Sequence, residues 1–467
     1  MFDPSSYTIA AHLFPKLLGF IYFFAFGAFL FQITGLIGKN GILPLGEYLK
    51  EIKRSYPHNH HFLAPTLFWI NSSDAALKGV VAAGTILSIL LMLGAYPPPI
   101  LLVIYFLYMS IVVAGQDFLS FGWEGFLLEI TANAFFLTLT DIPNIMVWIS
   151  INLLLFRFHF QGGAVKLQSG DKNWKNLTGV AYHYLSQPIP NAVAWYACKL
   201  PMWFQKLSTL LMLVIELIIP FGMIGPDWMR LGVFFCFVGL QFFIWMTGNF
   251  SYLNHLTAVF SILLVANIYL EGWFSLPEIT PSWDVTTWLC AAAGTVFTAL
   301  QLTQLYNHFV PRLKLSYFLR FLSRFYLINR YGIFAIMTTG RREVIFEGSD
   351  DGLEWKEYCF YHKPSEVDRR PRRISPYQPR IDWQAWFLPL GGGRHEAWMQ
   401  LFIYHLLKGT PEVLSLIRIN PFEGRPPKYV RAALYDYTYT TFKEKKETGH
   451  WWKRKYLGLF VNPSMLK

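Results

Sequence analysis

Long apolar runs fill the first 310 residues, and they fix the solvent in which this part of the chain can fold. Leu17–Leu36, Ala75–Ala95, Pro98–Ala114, Pro143–Phe158, Leu207–Ile224, Met229–Met246, Leu253–Leu270 and Trp288–Tyr306 come close to the roughly 20 mostly apolar residues that cross a bilayer. A ninth run, Gln116–Leu139, carries Asp117, Glu124 and Glu129. It reads either as a span facing the bundle interior or as a re-entrant segment. Seven to nine spans are expected. They must be helical, because lipid offers no partner to backbone N–H and C=O groups.

Charge follows the same partition. Residues 1–310 hold 13 Lys+Arg against 14 Asp+Glu, and residues 311–467 hold the remaining 27 and 15. The first part avoids charge because charge is costly in hydrocarbon. The second is charged because water solvates it. The sequence therefore divides into a multi-pass transmembrane domain, 1–310, with a polar loop at 161–205, and a C-terminal soluble domain, 311–467. The tail's charge does not orient it, since long domains translocate regardless of charge.

Within the first part, Leu45–Tyr56 has the spacing of an amphipathic helix at the membrane surface or of a solvated loop helix. Pro311–Arg330, with Arg312, Lys314, Arg320 and Arg324, reads as a basic connector along the membrane edge. In the tail, Glu343–Glu347 alternates, Gly348–Gly352 is a turn signal, and Trp355–Tyr361 alternates again, which predicts a β-hairpin. Pro376 and Pro379 forbid a helix around them. Glu396–Leu407 has helical spacing, and Lys428–Thr441 followed by Trp451–Phe460 predicts a strand pair. The tail is α+β, with a hairpin loop of β-sandwich-like character.

Composition excludes several classes. The overall share of charged residues is 15%, well below the roughly 25% of soluble domains, which rules out a disordered chain. Four Cys in 467 residues rule out a small disulfide scaffold. Cys198 and Cys359 can bridge only if both face an oxidising compartment. No Cys-x-x-Cys supports thiol exchange. The basic tail is interleaved with proline and tethered to a membrane, which argues against nucleic acid. His58, His60 and His61 lack a Cys or carboxylate at ligand spacing, so no metal is expected, and no cofactor is called for.

Polar residues inside apolar runs are functional candidates, because they need a partner or a cavity. They are Gln116, Asp117, Glu124, Glu129, Arg157, Asn249, Asn254 and His255. Glu124 and Glu129 are five apart and do not share a helical face. Arg157 and Lys166 are their candidate partners. Lys166 reads as a snorkelling interfacial lysine or, if desolvated, as a base.

Several motifs carry a resemblance. Gly162–Asp171, with Trp174, Leu177 and Thr178, then Tyr182–Tyr184, Gln187–Asn191 and Trp195-Tyr196, resemble the lipase maturation factor family. So do Arg341–Glu343, Glu347–Gly352, Arg369–Pro371, Pro379–Gln384, Asn420–Phe422 and Trp451-Trp452. The resemblance spans roughly residues 15–465. It implies a multi-pass protein of the endoplasmic reticulum membrane in animals, or of the cytoplasmic membrane in bacteria. Its partners would be membrane lipids and a secreted client, a homodimeric lipase in animals. The soluble tail would contact the client, with Asp350, Asp351, Trp355, Arg369, Arg370, Arg380, Asp382 and Trp383 as candidates. The membrane part is also similar to the transmembrane domain of vitamin K-dependent γ-carboxylase, where a Lys followed by Leu acts as base. Lys166-Leu167 occupies that place, but Lys172 and Asn173 separate Asp171 from Trp174. The leading expectation is a maturation factor, and the alternative is an intramembrane enzyme using Lys166.

Overall fold

The computed structural model describes residues 3–275, 284–311, 313–391 and 396–466. The first part is built from α1 (Thr8–Gly27), α2 (Leu45–Ser55), α3 (Asp74–Met92), α4 (Pro97–Ala114), α5 (Gly122–Leu137), α6 (Ile145–Gln168), α7 (Met202–Leu217), α8 (Asp227–Thr247), α9 (Leu253–Ser261) and α10 (Val285–Phe309). Their starts are written in the sequence. Ser73, Asn144 and Asp284 accept from backbone N–H groups in the first turns of α3, α6 and α10. Prolines open α4. Where helices touch most closely, glycine makes room. A Cβ on Gly294 would lie 2.4 Å from the Met146 carbonyl carbon of α6.

Among the described residues, seven helical segments are long and apolar enough to cross a membrane: Pro4–Gly27, α3, α4, α6, Met202–Ile224, α8 and α10. Helices α5 and α9 are shorter; the 16 residues of α5 rise about 24 Å. Both still return the chain across the bundle. Helix α4 ends at the turn whose Phe118 carbonyl accepts from Arg380 in the tail. Helix α6 ends beside Asp171, which accepts from Met337 N in the tail. Both ends lie against the tail, so α5 must run back between them. The same holds for α8, whose Met246 carbonyl accepts from Arg373, and for α10, which leads into the tail; α9 starts that return. All nine apolar runs therefore contribute helices to the bundle, and seven of these segments are long and apolar enough to cross a membrane.

Two boundaries differ most: the span expected at Pro143–Phe158 continues in α6 to Gln168, so the expected polar loop 161–205 is helical at both ends, and the first span is shifted. The first span starts at Thr8 and ends at Gly27, not Leu17–Leu36. His12, Pro15 and Lys16 dilute the apolar signal of its first half, although the His12 ring turns inward to the Thr8 carbonyl. Residues 28–37 form tight turns and a short helix instead.

A helix along the connector, α11 (Leu313–Ser323), precedes the tail; Arg312 lies outside the described residues. Next come β1 (Arg341–Ser349), β2 (Lys356–Glu357), β3 (Cys359–Phe360), α12 (Arg380–Ala385), α13 (Glu396–Lys408), β4 (Ile417–Ile419), β5 (Tyr429–Tyr439) and β6 (Trp452–Ser464). Strands run in the order β2-β1-β5-β6, all antiparallel, beside a two-stranded β3-β4 ladder. The expected β1–β2 hairpin is short. The main partner of β1 is β5, with Glu347 opposite Arg431. Their side chains pair at 2.5 Å, a cross-strand charge pair that pins the register. Helix α13 packs on the sheet, with Phe402 edge-on to Phe346 at 4.9 Å.

The core does not stop at the bundle. Phe118 of the membrane part meets Trp398 of α13 at 5.8 Å, and Trp123 of α5 meets Trp383 of α12 at 5.2 Å. One continuous buried cluster includes both parts. Cys198 and Cys359 are free thiols, so the disulfide that the sequence allowed is not formed.

Candidate functional site

The buried polar side chains of the bundle converge on the face that carries the tail. Helix α5 supplies two carboxylates. Glu124 Oε1 accepts from Arg380 Nη1 at 2.5 Å, and both side chains are fully buried. Its Oε2 accepts from Tyr108 OH and, at 2.5 Å, from Tyr252 OH. The Arg380 guanidinium also lies over the Phe29 ring, 4.7 Å from its centroid. Gln32 accepts from Arg380 N at 2.8 Å and donates to the Gln378 carbonyl at 3.0 Å. A tail arginine is thus threaded among α4, α5, the start of α9 and the turn after α1.

One and a half turns further along α5, Glu129 does the same for the connector. Its Oε1 accepts from Arg157 Nη1 at 2.9 Å. Its Oε2 accepts from Asn329 N at 2.7 Å, Asn329 Nδ2 at 2.9 Å and Tyr331 OH at 2.6 Å. Arg157 Nη2 returns to the Asn329 carbonyl at 2.7 Å. The five-residue spacing that keeps the two acids off one face lets each hold a different segment.

Lys166 belongs to a third pair. Its Nζ donates to both Glu216 oxygens, at 2.8 and 2.7 Å, and to the Gly162 carbonyl at 3.1 Å. An ammonium has three donors, and all three are spent. In this arrangement Lys166 and Glu216 form a largely buried ion pair that joins α6 to α7. Glu216 is the lone acid in its apolar run, and that isolation was the signal of a hidden partner.

Around the connection 169–201 between α6 and α7, Asn249 is fully used. Its Nδ2 donates to the carbonyls of Ile189 at 3.1 Å and Arg372 at 2.9 Å, and its Oδ1 accepts from Ile374 N at 2.8 Å and Ser375 N at 3.2 Å. Arg341 donates to the carbonyls of Leu185, Gln187 and Pro188 at 3.0, 2.5 and 2.9 Å. Asn254 pairs with Gln241 at 2.8 Å within the bundle, and Gln116 donates to the Leu43 carbonyl at 3.1 Å. Asp117 lies half-buried in the turn after α4, where its carbonyl accepts from Ser120. His255 is half-buried, edge-on to Trp245.

The tail candidates separate into two groups. Arg380, Asp382 and Trp383 are buried, Arg380 and Trp383 against the bundle and Asp382 within the tail. Asp350, Asp351 and Arg370 are exposed, and Trp355 is half-exposed. Asp351 Oδ1 caps the hairpin turn through Leu353 N and Glu354 N at 2.8 and 3.0 Å. Asp350 pairs with Arg425 at 2.9 Å, and the Arg431 guanidinium covers Trp355 at 4.0 Å. Arg369 donates to the Phe360 carbonyl at 3.0 Å and holds its own loop.

Asp382 gives a pH signature. Burial pushes its carboxyl up to about 6, opposed by the N–H groups of Lys363 and His362, which donate to Oδ1 at 2.9 and 2.6 Å. The folded value exceeds the unfolded one, so the native state holds the proton more tightly. The linked stability is present below about pH 4 and is lost as pH rises through about 6. Asp382→Asn keeps an acceptor at the same place without the charge. It is expected to gain on the order of 3 kcal/mol over the parent at pH 7 and nothing below pH 4. Thermal melts at both pH values check this; equal gains at both would refute it.

These features define a polytopic helical membrane protein whose α+β tail is locked into its bundle by buried charge. Residues 9–271 match the lipase maturation factor transmembrane domain, and residues 327–462 match the lipase maturation factor C-terminal domain. Lipase maturation factor 1 of Bos taurus is 32% identical, with 96% of this chain and 87% of the relative aligned. Lipase maturation factor 1 of Homo sapiens is 31% identical over 97% and 87%, and lipase maturation factor 2 of Gallus gallus is 29% identical over 96% and 80%. The chain belongs to the lipase maturation factor family. No solved structure matches it.

Proposed function

We propose that this chain is a membrane-anchored factor that helps a secreted, lipase-type client to fold and assemble, and that the exposed side of its tail meets the client. It would work in the endoplasmic reticulum membrane of a eukaryotic host or the cytoplasmic membrane of a bacterial one. The observation that carries the reading is end-to-end similarity, through both domains, to proteins named for lipase maturation. The tail supports it with two features at its surface. The hairpin presents Trp355 with Asp350 and Asp351 beside it. Strand β6 is the outer edge of the sheet and exposes Tyr456, Leu457 and Leu459. An open edge strand can pair with an extended client segment.

The test uses the full chain, because the tail is part of the bundle's core. Co-expression with a lipase in cells lacking their own factor should raise secreted lipase activity. Trp355→Ala with Leu457→Lys should remove most of that gain while protein level and melting temperature stay unchanged. Undiminished activity in that variant would overturn contact through this surface.

A secreted client also requires an exported tail, against the pull of the loop charges. The loops 28–73 and 169–201 on the tail face carry seven Lys and Arg, whereas 93–96, 138–144, 218–226 and 265–275 carry none. Loop lysines and arginines usually stay in the cytosol. Protease protection of a tail tag decides the matter, and a cytosolic tag overturns contact with a secreted client.

A further inference from the structure

A cavity of about 520 Å³ opens where the bundle meets the connector, between the end of α10, the start of α5, α11 and residues 326–330. Its size is that of a small-molecule site, roughly 300–1,000 Å³. Its chemistry is one-sided. Arg320 and Arg330 line it, no Asp or Glu does, and among the described residues neither arginine has a carboxylate partner. Arg320 is held in place by its own helix, with Nε donating to the Ser316 carbonyl at 3.2 Å and the guanidinium over the Tyr317 ring at 4.5 Å. Gln304 lines the same cavity from the last turns of α10. It is 3% exposed, and its Oε1 has no hydrogen bond among the described residues. A buried amide oxygen without a donor is costly unless something in the cavity supplies one.

The surroundings say which phase the cavity faces. Helix α11 turns Leu319 inward, 5% exposed, and leaves Tyr317, Phe318 and Phe321 exposed at 66, 51 and 46%. Those rings share one face, with Arg320 and Arg324 close by. A helix with an aromatic face and basic flanks lies in the headgroup layer.

We propose that this cavity seats the headgroup of an anionic phospholipid. Arg320 and Arg330 face the phosphate, Gln304 Oε1 accepts from a headgroup hydroxyl, and the acyl chains leave along the apolar outside of α10 and α11. The bound lipid would tie the connector to the bundle beside Asn329.

The experiment is native mass spectrometry of the full chain in neutral detergent, titrated with phosphatidylglycerol, phosphatidylcholine or inorganic phosphate. Phosphatidylglycerol should bind about tenfold more tightly than phosphatidylcholine, and Arg320→Gln with Arg330→Gln should erase that preference. Lys443→Gln with Lys446→Gln, which removes the same charge from an exposed tail helix, should leave it intact. The inference fails if phosphatidylglycerol shows no preference, or if the two double variants behave alike. It also fails if inorganic phosphate displaces the lipid at equal concentration, since the site then reads free phosphate and not a lipid.

Discussion

Glu124→Gln should loosen the whole tail and cost roughly 3–5 kcal/mol, because it leaves the Arg380 guanidinium buried without a counter-charge. Arg380→Ala should cost a similar amount for the mirror reason. The two together should cost far less than their sum. Arg380 approaches Glu124 with one nitrogen, while its Nε and Nη2 make no hydrogen bond among the described residues. Such a pair recovers only part of the desolvation of its two ions. Glu124→Gln with Arg380→Met removes both charges and keeps an acceptor for Tyr108 and Tyr252. It should therefore return to within about 1 kcal/mol of the parent. Unfolding in detergent, read as a double-mutant cycle, measures this. Additive losses would mean that the two charges do not interact, and single losses below about 1 kcal/mol would mean that the pair is solvated.

That interaction shows where the sequence is legible and where it stops. The nine apolar runs are readable because lipid imposes a length and a composition on each. The strands around Val344 and Tyr437 are readable because polar and apolar residues alternate along them, although the strand at Val344 is buried on both faces. Glu124, Glu129 and Arg157 stand out because each is a charge in an apolar run, and Arg157 does pair with Glu129. What is missing is the third dimension. Arg380 sits 256 residues from Glu124, in a water-rich composition, and nothing local marks it as the arginine that enters the bundle. A charged tail reads as a separate head, so nothing local shows that Arg380 and Trp383 are buried in the seam with the bundle, or that Asp382 is buried inside the tail. Asn329 and Tyr331 are invisible for the same reason: uncharged or common residues acquire their role only from the carboxylate they meet. Lys166 is the opposite case. Its motif points to chemistry, and one distant acid, Glu216, takes up its donors.

The second clamp differs from the first in how fully it is satisfied, and this makes its loss local as well as large. Glu129 accepts four hydrogen bonds, three of them from the connector at Asn329 and Tyr331. Glu129→Gln replaces one acceptor oxygen by an NH₂ group facing donors, and it leaves Arg157 buried and unpaired. The loss should again be about 3–5 kcal/mol. Unlike Glu124→Gln, it should free the connector before the tail. Arg324 and Arg330 flank that segment and are exposed. Trypsin under native conditions should therefore cut Glu129→Gln here at least tenfold faster than the parent, separating bundle from tail. Glu124→Gln should cut more slowly at this site, because Glu129 still pins Asn329. Replacing Arg157 by Lys keeps a charge for Glu129 Oε1 but abandons the bond to the Asn329 carbonyl, so it should fall between the two. Equal cleavage rates in all three variants would mean that the connector is held by packing alone, and that α5 carries one clamp and not two.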